Sequence, residues 1–85
     1  ANAFYWRARV RLAQDEVALA LKDIDAAIAL DPSLDNRLQR AYINLAAEDA
    51  AAARKDLEEA RRLPGLEAEK TYIEGRIHAV EGKFE

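Results

Sequence analysis

Slid against itself by 33 residues, the chain repeats. Between residues 3–30 and 36–63 ten positions coincide: Arg7/Arg40, Ala8/Ala41, Leu12/Leu45, Ala13/Ala46, Ala18/Ala51, Ala20/Ala53, Lys22/Lys55, Asp23/Asp56, Ala27/Ala60 and Leu30/Leu63. Ala is abundant here, so the Arg, Lys, Asp and Leu pairs carry most of the signal. A third copy then opens: Ala41 to Gly75 is a step of 34, and Gly82 and Phe84 fall where Asp15 and Val17 stand in the first copy. A period of this length with two helices per unit describes a stack in which each unit covers its neighbour's apolar side.

The periodicity inside each unit is helical. Val17, Ala20, Leu21, Ile24, Ala27 and Ile28 recur at steps of three and four and draw one apolar stripe. Leu34, Leu38, Ala41, Tyr42 and Leu45 do the same, as do Leu66, Ile73, Ile77, Val80 and Phe84. No run of alternating β-branched residues marks a strand. Asp31-Pro32-Ser33 and Leu63-Pro64-Gly65 are firm stops, because the residue before Pro is driven from the helical region. Asp15 is placed to cap a helix beginning at Glu16, Ser33 or Asp35 the next, and Glu48-Asp49 a further one. The expectation is all-α, with five helices at roughly 3–13, 16–30, 35–47, 49–62 and 66–81. Connections this short favour antiparallel neighbours.

Composition narrows the function classes. Of the 43 residues in the 51% hydrophobic fraction, 19 are Ala, so the large apolar side chains are few for the chain's length. Small domains of this kind usually lean on disulfides or metals, yet Cys is 0 and His is 1. A disulfide scaffold, a Cys-based zinc site and a thiol enzyme are thereby excluded. A net charge of -3 argues against a dedicated nucleic-acid binder. No apolar stretch approaches the roughly 20 residues of a membrane span, and no signal segment is visible. With Met at 0, the chain reads as a piece of something longer, and either the cytoplasm or a bacterial periplasm suits it.

The repeat resembles the tetratricopeptide-repeat (TPR) family. Phe4, Ala8, Ala20, Ile24, Ala27 and Leu30-Asp31-Pro32 fit its pattern in the first unit, and Ala41, Ala53, Leu57, Ala60 and Leu63-Pro64 in the second. Gly75, Gly82 and Phe84 fit in the third. Arg7, Arg11 and Asn44 depart from it at places where many members are apolar, and Asp15 and Glu48 replace the usual turn Gly. The resemblance implies an α–α superhelix, a solenoid of antiparallel hairpins, with repeat 1 at about 1–33, repeat 2 at 34–66 and a partial repeat 3 at 67–85. About two and a half repeats of a longer protein result. The competing architecture is a plain antiparallel bundle.

In that family the first helix of each unit lines a concave surface. Carried over, Tyr5, Arg9 and Leu12, then Leu38, Tyr42 and Leu45, then Tyr72, Arg76 and Ala79 line the groove, with Trp6, Gln39 and Ile73 at its flank. Tyr brings large contact area at low entropy cost, and Arg a planar fork of donors. The resemblance thus implies a scaffold holding an extended peptide or helix of another protein, acidic or aromatic in character. The family's clamp for chaperone tails maps onto Tyr5, Arg9, Gln39, Glu69 and Ile73; only Arg9 donates strongly and Glu69 repels, so that clamp is not expected.

Other chemistries find less support. His78 shares a helix face with Glu74 and Glu81, a spacing that recurs by chance in a Glu-rich chain, and a solvated His is the plainer reading. Ser33 sits in a turn without a neighbouring His, and no Gly-rich phosphate loop occurs. No catalytic constellation, cofactor or metal is expected. Arg7 and Arg40 are repeat-equivalent and suggest a short basic ridge that Glu74 ends, while Arg54, Glu58 and Arg62 are spaced to pair along one helix. The stripe of Ile73, Ile77, Val80 and Phe84, lacking a following helix, is expected to be partly uncovered and to offer a self-association surface. A spacer or self-association module, including an envelope secretion scaffold with an empty groove, is the alternative function.

Overall fold

Short polar side chains fix three of the helix starts. The Asn2 side chain accepts from the Tyr5 amide ahead of α1 (Ala3–Ala13). Ser33 Oγ accepts from Asn36 N ahead of α3 (Leu34–Ala46), and Asp49 from Ala52 N ahead of α4 (Ala50–Arg61). With α2 (Val17–Leu30) and α5 (Glu67–Gly82), these make five helices in the computed structural model, which describes residues 2–82. No strand occurs among the described residues, and the fold is all-α.

Asp15 does not cap α2. Its φ is 62°, in the left-handed region, and Glu16 occupies the cap position with no side-chain bond. The turn belongs instead to the end of α1: Asp15 N donates to Leu12 O at 3.0 Å and Glu16 N to Arg11 O at 2.8 Å, satisfying carbonyls the helix leaves open. Glu48 repeats this with φ 58°, its amide donating to Leu45 O at 3.0 Å and that of Asp49 to Asn44 O at 2.9 Å.

Successive helices run antiparallel. Asn2 Nδ2 reaches Ala27 O and Arg7 reaches Asp23, so early residues of α1 meet late ones of α2. Arg40 meets Asp25 across α2 and α3, and Arg61 meets Glu74 across α4 and α5. α1, α3 and α5 therefore point the same way and lie side by side, α3 touching both others. α2 and α4 form a second layer, giving extents of 37 × 30 × 18 Å, about two helices thick. One core joins Ala8, Ala20, Ile24 and Ala27 to Ile43 of α3. The other gathers Leu38, Ala41, Leu45, Ala53, Leu57 and Ala60 with α5. Ala at 8, 20, 27, 41, 53 and 60 is fully buried, and these small residues let the helix backbones approach closely.

Three expectations about surfaces are corrected. Ile73 and Ile77 are fully buried and Val80 nearly so, packed on the preceding helices α3 and α4. They are not an uncovered stripe and offer no self-association surface, nor does Ile73 flank a groove; Phe84 lies outside the described residues. Arg7 and Arg40 form no basic ridge, because each is held by a buried carboxylate. Arg7 Nε and Nη2 donate to Asp23 at 2.9 and 2.8 Å, with Arg11 Nε at 3.3 Å from the same group. Arg40 Nε and Nη2 donate to Asp56 at 3.0 and 2.7 Å, with Asn44 Nδ2 at 3.2 Å. The off-pattern residues Arg7, Arg11 and Asn44 thus share one purpose. Finally, Arg54 pairs with Glu81 and Arg62 with Glu59, rather than either with Glu58.

Candidate functional site

Parallel alignment of α1, α3 and α5 puts repeat-equivalent residues in rows across their outer face. Tyr5, Leu38 and Tyr72 form one row, and Arg9, Tyr42 and Arg76 the next, one turn further along each helix. A cleft of ≈ 460 Å³ between α1 and α3 is lined by Tyr5, Arg9, Leu12, Ala13, Gln39 and Tyr42. It continues into a smaller one of ≈ 210 Å³ bounded by Leu12, Tyr42, Leu45, Tyr72 and Arg76. Toward the helix N-termini a third, of ≈ 160 Å³, is edged by Tyr5, Leu38, Gln39, Tyr42, Leu66 and Glu69. Tyr42 lines all three and is the centre of the face.

The residues differ in role. Leu38 and Leu45 are each nearly buried and serve as floor. Tyr42 is half-buried, its ring 5.8 Å from that of Tyr72, which is 51% exposed. Burial pushes the Tyr42 hydroxyl above its ordinary pKa, with Tyr72 and Glu69 adding to the rise and the Arg76 cation opposing it. Arg9 lies 5.9 Å from the Tyr5 ring centre and 5.5 Å from that of Trp6. Trp6 packs edge-on against Tyr5, with centroids 5.0 Å apart, yet remains 55% exposed on the outer side of α1 and lines none of the three clefts. Of the twelve residues that the sequence reading set in or beside the groove, Tyr5, Arg9, Leu12, Leu38, Gln39, Tyr42, Leu45, Tyr72 and Arg76 line these clefts, and Trp6, Ile73 and Ala79 do not.

The sequence reading had Glu69 in the groove as a repelling group but missed Asp35 beside it. Asp35 and Glu69 line the N-terminal cleft and are themselves repeat-equivalent, two residues after a turn in each case, so the register contained them. A further cleft of ≈ 490 Å³ opens on the opposite side, where α2 and α4 do not touch, lined by Arg37, Arg40 and Lys55 against Asp25, Asp56 and Glu59. Its charges largely balance.

For metal chemistry, no group of three His, Cys, Asp or Glu side chains stands together among the described residues. His78 Nδ1 lies 3.6 Å from Glu81, which already accepts from Arg54 at 2.7 Å, and Glu74 is engaged by Arg61, which holds its carboxyl below the ordinary range. No described helix is long and apolar enough to cross a membrane. Comparison with protein-family models, with curated proteins and with solved structures found no match.

Proposed function

We propose that the chain is a tetratricopeptide-like stack of helical hairpins that binds a segment of another protein across the outer face of α1, α3 and α5. The observation that carries this reading is the run of clefts centred on Tyr42, lined in repeat register by aromatic and Arg side chains that are not consumed by the core. Support for the repeat comes from the paired carboxylates: Arg7–Asp23 and Arg40–Asp56 stand 33 residues apart and make the same forked contact. No enzymatic activity belongs to this reading.

The test starts from a display library of random peptides about twelve residues long, enough to cross three helices spaced ~10 Å apart. Tyr42→Ala should weaken the selected peptides by ~1–2 kcal/mol or more in fluorescence anisotropy, with helicity unchanged. Equal affinity in the variant removes the groove from the reading.

The alternative, self-association, has one observation in its favour. Trp6 and Val10 are both 55% exposed on α1, while of their equivalents Ile43, Ile73 and Ile77 are buried on the preceding hairpin and Gln39 is half-buried. A sedimentation series that shows a concentration-dependent mass, abolished by Trp6→Ser, selects it.

A further inference from the structure

We infer that the groove's ligand is an extended peptide carrying two acidic side chains about six residues apart, with an apolar or aromatic residue between them. This rests on the groove reading above and specifies the partner it takes. The starting point is which cations are free. Arg7, Arg11, Arg40, Arg54, Arg61 and Arg62 each have a carboxylate partner. Arg9, Arg37, Arg76, Lys22 and Lys55 have no carboxylate ion pair among the described residues, and of these Arg9 and Arg76 line the groove. They are repeat-equivalent, one on α1 and one on α5, with Tyr42 at the same register position on α3 between them.

That arrangement sets a ruler. Neighbouring packed helices lie 8–10 Å apart, so α1 to α5 spans roughly 16–20 Å across two intervals. An extended chain advances about 3.3 Å per residue and its side chains alternate, so a step of about six residues both spans that distance and keeps two carboxylates on the side of the two guanidinium groups. A residue between them on the same side, about two or four positions after the first acid, meets the half-buried ring of Tyr42 and its neighbour Tyr72. Guanidinium recognises carboxylate through paired donors, and the Tyr5 and Trp6 rings, 5.9 and 5.5 Å from Arg9 Cζ, keep that cation beside the cleft.

The opposite edge fixes which way the peptide faces. Asp35 and Glu69 lie seven residues before Tyr42 and Arg76 on their helices, about 10 Å toward the N-termini. Acidic side chains directed there are repelled. Successive side chains of an extended strand point to opposite sides, so the acids face the Arg row and the other edge takes apolar or basic groups. A uniformly acidic segment is disfavoured, and a patterned one preferred.

The same display library is selected against the chain and against the Arg9→Gln/Arg76→Gln variant. Both positions are exposed and lack ion pairs, so the variant should keep the parent's helicity and melting curve. The parent should enrich peptides with two acids at the stated spacing. Changing either acid to its amide should weaken binding about two- to five-fold, and raised salt should act in the same direction. In the variant the amide change should cost nothing, and Arg9→Lys/Arg76→Lys should restore part of the preference. Neutral or basic selected peptides, or an equal amide penalty in parent and variant, overturn the acidic ligand while the groove stands if Tyr42→Ala still abolishes binding. A library that yields no binder, or binders indifferent to Tyr42→Ala, overturns both.

Discussion

Asp56→Ala tests what the off-pattern polar residues are for. The carboxylate is 3% exposed and accepts from Arg40 Nε and Nη2 and from Asn44 Nδ2. Removing it strands three donors on two side chains. A hydrogen bond to a charged group contributes about 1.5–3 kcal/mol, and an orphaned buried amide costs on the order of 1 kcal/mol more. Two features reduce the total: the Arg40 side chain is 27% exposed, and it keeps Asp25 at 3.1 Å, a residue itself 62% exposed. Solvent screening of that remaining pair makes it a weak substitute. The net loss is about 2–3 kcal/mol, or roughly 10–20 °C in Tm for a domain of this size. Urea and thermal melts followed by circular dichroism measure it. Replacing both partners, Arg40→Met with Asp56→Leu, should recover much of the loss, because the penalty lies in the unpaired buried charge. A single-variant loss below about 0.5 kcal/mol would refute the assignment of Asp56 to holding α3 on α4.

Asp23 adds a pH signature. Hydrogen bonds from Arg7 hold its carboxyl below the ordinary range against the opposing effect of burial, with the Arg11, Arg7 and Lys22 charges helping. A folded-state pKa below the unfolded one means full stabilisation above the unfolded value, lost as pH falls through the folded one. Asp23→Asn should therefore flatten the stability profile at and below the usual carboxylate range, read from urea midpoints across acid pH. At Asp15, φ of 62° costs an L-residue roughly 1 kcal/mol that glycine avoids, so Asp15→Gly should raise stability by about that much in the same melts. Gly75 sits inside α5 with open space for 4 Å around the point an added methyl would occupy, so Gly75→Ala should add about 0.8–1 kcal/mol by helix propensity, again read as a shifted melting curve.

Helix number and ends were legible because they rest on local chemistry. Pro32 and Pro64 stop helices wherever they stand, and Ser33 and Asp49 cap by reaching amides three residues on. Asp15 misled because an Asp before an apolar run satisfies the cap pattern, while the backbone needed a left-handed residue to close α1. The groove residues were legible for a different reason. Register places equivalent positions in rows once the first helices lie parallel, so Tyr5, Tyr42 and Tyr72 required no knowledge of side-chain detail. Ion pairs were not legible. Arg54 has Glu58 four residues on along its own helix, yet it takes Glu81 across the α4–α5 seam, a choice that depends on how two helices cross.

The stripe on α5 is covered as its counterpart on α3 is: Ile43, one repeat before Ile77, is buried on the preceding hairpin, and Ile77 on α3 and α4. Arg7 and Arg40 reach forward, each to an Asp on the second helix of its own hairpin. Their counterpart is Glu74, which reaches back to Arg61 on α4, as Glu81 does to Arg54. Lys70 does likewise, its Nζ donating to Leu63 O near the end of α4 at 2.5 Å, where its counterpart Asn36 donates to Ala27 O and Asp31 O of the preceding hairpin. An arginine at 74 would face Arg61 in place of a carboxylate. Reversing that charge converts a contact within a hairpin into one that ties α5 back to α4, alongside the packing of Ile73, Ile77 and Val80 on α3 and α4. The side of α5 that a hairpin partner occupies in the first two units holds Thr71, Gly75 and His78, all exposed and none a large apolar group. α5 therefore completes the α3–α4 core, and Tyr72 and Arg76 line the face where Tyr42 sits.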